Sequence, residues 1–475
     1  MRPMASKRDG EPEDDRPDAP PTSRLGRLAR LGSLAARTLP AGGAALKRAI
    51  GLGAKGDDPE RLAKEREAMR ENARKTAEAM LKTLGEMKGL PLKLGQMASY
   101  IDGLAPPGYE EKFQDVLKQL QAKAPPLSRE AARKVVTAEL GVPEEVFSVW
   151  EAEPFAAASI GQVHRATTHG GEHVAVKVQY PGIDKAIEND LKSVSMLEQM
   201  MSPVGRRYHT KETLDEIKSV FLAELDYSRE ASATDMFRAI HAEDPEIVIP
   251  RVQHSLSTRR VLTTELIGGV DYKTFCAEAT PDDKRQAAET IWRFMMRALF
   301  RHGVLYADPH PGNYRFLGGG KVAFLDFGCH KILSPELLLG EKRYIIAAMD
   351  ERWDDFERAC VDFLGFDPTD EESFKLYLDY TKFVMIPLTV DAPYRHTPEA
   401  ARETVAYLAR GLKKIMKSAD SGVPNLPKPI HMPTEHTFMN RLQWGLASVM
   451  GGLGAEGNYH RITREWIRGP HVPPP

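Results

Sequence analysis

Three polar residues at fixed spacing constrain this 475-residue chain more than anything else in it. They are Asp308, Asn313 five residues on, and Asp326 thirteen after that, opening the triplet Asp326-Phe327-Gly328. Phosphoryl transfer requires such a donor set: a carboxylate that orients an attacking hydroxyl or water, and an amide oxygen with a second carboxylate to hold Mg2+ on phosphates. The apolar run Val322–Leu325 reads as a strand that delivers Asp326 at its end. Asp-Phe-Gly alone recurs by chance. Two spaced motifs in the right order are a far stronger signal than two unrelated Asx turns.

The spacing from Asp308 to Asn313 equals that of the HRDxxxxN catalytic loop of kinases. Upstream, Val174-Ala175-Val176-Lys177 resembles the strand whose lysine contacts nucleotide phosphates and pairs with a helix carboxylate. The partner should come from the next helical stretch, where Glu230 and Glu224 compete. The loop that should cover the phosphates lacks the usual glycines and reads Ala156-Ala157-Ala158-Ser159-Ile160-Gly161. Alanine disfavours positive φ, so this loop cannot copy a glycine-rich backbone. Its N–H groups and Ser159 are left as the phosphate donors. Adenine is expected against Thr264–Ile267, which makes Glu265 and Ile267 further nucleotide-binding candidates. His310, two residues after Asp308, is either a catalytic imidazole or a cap for its own turn.

The rest of the chain supplies a frame for these residues. Residues 1–57 combine a charged, Pro-rich start with the basic amphipathic stretch 24–50, which suits either an anionic membrane surface or a linker. Residues 58–140 read as helices. Residues 141–268 hold strand-like runs at 147–180, with Gly170-Gly171 as a hairpin turn, then a helical insert at 183–240 and two strands around Ile247–Val252 and Arg260–Glu265. Residues 269–475 are mostly helical, with a strong helix over 282–303. A small mixed lobe followed by a larger helical lobe is the α+β outline of a protein-kinase-like bilobal fold.

Net charge is only −2, so there is no basic field to attract nucleic acid. The three cysteines, Cys276, Cys329 and Cys360, form no CxxC pair, which argues against a disulfide or zinc framework and fits a reducing, cytoplasmic setting. No apolar run reaches the length of a membrane span, and the first residues lack the core of a secretory signal.

Six segments in one order resemble the UbiB (AarF/ADCK) family of atypical kinases: KLGQ at 93–96, AAASIGQVHRA at 156–166, VAVKVQYPG at 174–182, ELDYSREA at 224–231, ADPHPGN at 307–313 and DFG at 326–328. The resemblance implies that Lys93 and Gln96 belong to a KxGQ motif on helices lying across the place a peptide would occupy. It implies that Glu224 and Asp226 form an ExD element meeting that motif, and that Glu230 is the partner of Lys177. It also implies Mg-ATP or Mg-ADP as cofactor and support of isoprenoid-quinone pathways through ATPase or small-molecule kinase activity. The residues agree on one point independently. No APE-like segment follows Gly328, and a helical pattern begins about eight residues on, which leaves little room for a peptide-docking platform. The leading expectation is therefore an ATPase or kinase acting on a small or lipidic, quinone-precursor-like acceptor, with any membrane contact peripheral. The alternative is a nucleotide-gated scaffold or lipid-handling protein with little turnover.

Overall fold

The computed structural model describes residues 18–19, 23, 127–158, 160–192, 222–417 and 436–475. The small lobe opens with α1 (Arg129–Glu139), whose N-cap Ser128 accepts the Ala131 N–H at 3.1 Å. Ala131, Ala132, Val135 and Val136 recur at helical spacing, and all are buried. The strands of this half are β1 (Val149–Trp150), β2 (Ala156–Ala157), β3 (Gly161–Thr167) and β4 (His173–Gln179), then β5 (Ile247–Val248) and β6 (Val261–Glu265) beyond the helix α2 (Tyr227–Ile240). An antiparallel sheet runs β1-β3-β4-β6 with β2 also paired to β3. Gly171, at φ +83°, turns the chain between β3 and β4 as the Gly-Gly pair foretells. Strand alternation then decides the function of β4. Val174, Val176 and Val178 are fully buried in one cluster with α1, and Ala175 and Lys177 take the opposite face.

The large lobe follows with α3 (Tyr272–Glu278) and α4 (Pro281–Met296). Thr280 caps α4, Pro281 sits at its first turn, and Asp282 and Asp283 complement the positive end of its dipole. The helix continues into a single π turn, Arg297–Arg301. After β7 (Val304–Tyr306), the hairpin β8 (Tyr314–Gly318) and β9 (Lys321–Phe324), and β10 (His330–Ile332), the lobe is helical. Its longer helices are α5 (Pro335–Met349), α6 (Trp353–Leu364), α7 (Glu371–Val384), α8 (Pro398–Lys417), α9 (His436–Leu453) and α10 (Tyr459–Ile467), with a two-residue ladder between Tyr394–Arg395 and Glu456–Gly457.

Two features join the lobes. Along α2, Tyr227 and Ala231 belong to the small-lobe core with Ile160 and Tyr180, whereas Phe237 and Ile240 belong to the large-lobe core with Phe294 and Phe324. Strand β5, expected over Ile247–Val252, is shorter. It pairs parallel with β9 in the sheet β5-β9-β8, and Val252 keeps one isolated bridge to Thr264. Local patterning marks a strand but not its partner, and this partner lies some seventy residues further along the chain.

Candidate active site

A cleft of about 330 Å³ is lined by residues of both lobes. Its walls bring together Ala156, Ala157, Ala158, Lys177, Glu224, Glu230, Glu265, Ile267, Asp308, Asn313 and Asp326. Asp226 does not line it and instead caps α2, accepting the Ser228 N–H at 3.0 Å. Lys93, Gln96, Ser159 and the segment 24–50 lie outside the described residues.

Lys177 is the centre of the charge pattern. Its ammonium donates to both Glu230 oxygens at 2.7 and 2.9 Å and to Asp326 Oδ2 at 3.1 Å. Glu230, expected as the partner over its competitor Glu224, is thus the residue the fold brings to the lysine. Glu230 is in the first turn of α2 and reaches the lysine, while Glu224 is a buried residue of the cleft wall. The Tyr227 ring lies 5.1 Å from Lys177 Nζ. Burial alone would lower the lysine, but the charges of Asp326 and Glu230 outweigh it and hold the ammonium well above its ordinary range. Two carboxylates share one cation here, so one negative charge is left over. Burial, then repulsion from Asp326, pushes the Glu230 carboxyl up to about 7 despite its lysine.

The catalytic-loop residues are held by their own short-range bonds. Asn313 Nδ2 donates to the Asp308 carbonyl at 3.1 Å and to the Tyr306 hydroxyl at 3.5 Å. That fixes the amide orientation and leaves Oδ1 as the acceptor side of the group. Tyr306 in turn donates to the Asp326 carbonyl at 2.9 Å, and the Gly328 N–H donates to Asp326 Oδ1 at 3.0 Å. His310 takes the capping role: its Nδ1 accepts the Gly312 N–H at 2.7 Å, at the start of the 3-10 turn Pro311–Asn313. An amide oxygen and a carboxylate are hard donors suited to Mg2+, which typically takes one or two protein ligands and completes its shell with phosphates and water. The surplus negative charge around Lys177 fits such a cation. Among the described residues no group of three or more His, Cys, Asp or Glu stands close enough to hold a metal without a nucleotide.

The alanine loop is tighter than its sequence suggests. Ala156 and Ala157 pair with Val163 and Gln162, and the Ala158 N–H donates to the Gly161 carbonyl at 2.8 Å. The Ala158 N–H is therefore already committed within the loop. Gly161 admits no side chain, because a Cβ there would meet the Val178 carbonyl and come within 2.8 Å of the Tyr227 hydroxyl. At the opposite edge, the Glu265 and Leu266 N–H groups donate to the Arg251 and His173 carbonyls, while the Ile267 N–H makes no hydrogen bond among the described residues. Tyr306, Tyr227 and Gly161 were not singled out from the sequence. The proximity of Tyr306 to Asp308 was the one available hint.

Beyond Gly328 the chain folds at once into regular structure. The Ala307 N–H donates to the Cys329 carbonyl at 3.0 Å, β10 pairs antiparallel with β7 from His330 opposite Tyr306 to Ile332 opposite Val304, and the Leu333 N–H donates to the Gly303 carbonyl at 2.8 Å. Ser334 then caps α5. The segment that a protein kinase uses to dock a peptide is here a laddered edge of six residues, 329–334.

The chain is similar to several known proteins. The ABC1 atypical kinase-like domain matches residues 119–356. An uncharacterised Synechocystis protein, slr0889, is 33% identical over 293 residues, 58% of this chain and 71% of its own. The mitochondrial atypical kinases COQ8B of Rattus norvegicus and COQ8 of Saccharomyces cerevisiae are 31% and 30% identical, over 66% and 69% of this chain. The chain spans 58% and 63% of the length of those two relatives. Among solved structures, the Rv3197–erythromycin complex from Mycobacterium tuberculosis matches with a TM-score of 0.56 at 25% identity, over 85% of this chain and 98% of that one.

Proposed function

The chain belongs to the ABC1 atypical kinase-like family, the UbiB group of atypical kinases, and on that premise we propose that it is a Mg-nucleotide-dependent ATPase or small-molecule kinase supporting an isoprenoid-quinone pathway. The observation that carries this reading is the assembled cluster of Lys177, Glu230 and Asp326 beside Asp308 and Asn313. Lys177 presents its ammonium to nucleotide phosphates while Glu230 fixes its position. Asp308 orients the attacking hydroxyl or water and takes up its proton. Asn313 Oδ1 and the Asp326 carboxylate are the groups that would hold Mg2+, whose chemistry is to neutralise charge on the phosphates. Ala156 to Ser159 cover the phosphates, and Glu265 and Ile267 meet the base, where the unused Ile267 N–H is a ready donor. Lys93 and Gln96, with Glu224 and Asp226, regulate access.

The laddered segment after Gly328 supports a small acceptor over a peptide, and the erythromycin complex of the mycobacterial neighbour is in keeping with a fold that receives small molecules. A lipidic, quinone-precursor-like acceptor then implies contact at a membrane surface. Among the described residues no helix is long and apolar enough to cross one. The committed Ala158 N–H favours a second reading, in which nucleotide binds but turns over little and gates a scaffold. Phosphate release from the purified chain, with and without anionic liposomes, separates the two. Asp326→Asn should abolish Mg2+-dependent release while the melting transition is retained. Full turnover in that variant would remove the metal role of Asp326, and tight nucleotide binding without turnover in any condition would favour the scaffold.

A further inference from the structure

The helical lobe holds a second cavity, of about 250 Å³, that shares no lining residue with the nucleotide cleft. Its walls come from α4 and the π turn through Trp292, Leu299 and Phe300, and from α7, α8 and α9 through residues such as Tyr380, Ala401 and Trp444. None of the described residues lining it is charged. Protein interiors are close-packed, and an apolar void of only about 150 Å³ already takes up a benzene ring. A mainly apolar space of this size accepts a ring with a short chain, or an alkyl chain of moderate length.

Two details distinguish it from a packing fault. His396 lines the cavity and is only 6% exposed, yet its Nε2 is buried with no hydrogen-bond partner. The Trp292, Tyr394 and Tyr459 rings surround it, with centroids 4.8 to 5.6 Å away. Burial lowers this imidazole to about 4, so it is neutral near pH 7. A buried polar atom left unpaired is costly, and native folds seldom keep one without a reason. Of the hydroxyls lining the cavity, those of Thr381 and Thr404 are engaged, donating to the Tyr377 and Ala400 carbonyls one turn back. The second detail is the π turn Arg297–Arg301, which contributes Leu299 and Phe300 to the wall. Such turns are rare inside α-helices and are frequent at functional sites.

We propose that this cavity binds an uncharged molecule with a hydrocarbon body and one hydroxyl group, and that the hydroxyl pairs with His396. A hydroxyl both donates and accepts, so it matches either tautomer of a neutral imidazole. An anion or an ammonium has no counter-charge among the lining residues.

Three probes of one chain length test this on the purified full chain: 1-decanol, 1-chlorodecane and 10-bromo-1-decanol. Trp292 and Trp444, two of the five tryptophans, line the cavity, and bromine quenches indole fluorescence on contact. Saturable quenching by the bromo-alcohol, reversed by 1-decanol, is expected, with 1-chlorodecane competing about 5- to 100-fold more weakly for want of the hydrogen bond. His396→Phe should bring alcohol and chloride together. Ala401→Phe should fill the space and abolish quenching while the melting temperature holds or rises, and Ala447→Leu is a milder second filling variant should Ala401→Phe fail to fold. Equal binding of alcohol and chloride to the unaltered chain, or quenching untouched by either filling variant, would overturn the assignment. Because the readout is binding rather than turnover, it stands apart from the nucleotide chemistry.

Discussion

Replacing Glu230 by glutamine tests the charge balance of the cleft directly. An ion pair at 2.7 Å suggests that ionised Glu230 stabilises the fold, so that its loss should hurt most at high pH. The structure argues the opposite. Glu230 is buried, and its lysine is shared with Asp326, so its carboxyl is lifted from an ordinary 4.5 to about 7. An acid whose folded value is raised contributes stability below its unfolded value and loses it as pH climbs through the folded one. The loss therefore runs from about pH 4.5 to just above 7. That interval, at about 1.4 kcal/mol per pH unit, corresponds to about 3 kcal/mol. Glutamine resembles the protonated acid in shape and cannot ionise, so Glu230→Gln should escape this loss. Denaturant unfolding of both proteins from pH 5 to 8.5, with the variant subtracted from the parent, cancels the other titrating groups. The parent should lose about 2.5 kcal/mol relative to the variant across that range, the remainder falling below pH 5. Saturating Mg-ADP should shrink the difference without abolishing it, because a cation at Asp326 removes the repulsion but leaves Glu230 buried. A difference curve that is flat without nucleotide, or that rises with pH, would refute the reasoning and restore the simple ion-pair view.

Two further substitutions probe the scaffold of the cleft. Gly161→Ala sets a methyl group against the Val178 carbonyl and the Tyr227 hydroxyl, backbone and a packed ring that cannot both yield; it should cost about 2 kcal/mol or more in thermal unfolding and weaken nucleotide binding. Tyr306→Phe removes the bond to the Asp326 carbonyl and one partner of Asn313 without opening a cavity; it should destabilise by about 1–2 kcal/mol and lower phosphate release more than nucleotide affinity.

Sequence patterning reached the chemistry in this chain better than it reached the supports. Lys177 was legible because strand alternation at 174–178 leaves it opposite three buried valines. Asp308, Asn313 and Asp326 were legible because their roles demand a spacing, and the hairpin at Gly171 because a positive φ demands glycine. Glu230 was the expected partner of Lys177, but patterning separated it from Glu224 only weakly, since the two are six residues apart and the entry of the chain into α2 decides between them. The capping role of His310 and the bonds of Tyr306 depend on short-range geometry that residue type does not encode. Strand β5 was legible as a strand, but its partner was not, because a parallel ladder to β9 is a non-local choice.

That ladder, with α2, has a consequence for cooperativity. Helix α2 gives its first half to one hydrophobic core and its second half to the other, and β5 hydrogen-bonds into the sheet whose next strand leads to Asp326. Melting the small lobe would strip Phe237 and Ile240 of their anchor, and melting the large lobe would leave β5 without a partner. The two lobes are thus coupled in unfolding, and the positions of Lys177 and Asp326, one from each lobe, depend on the same shared elements.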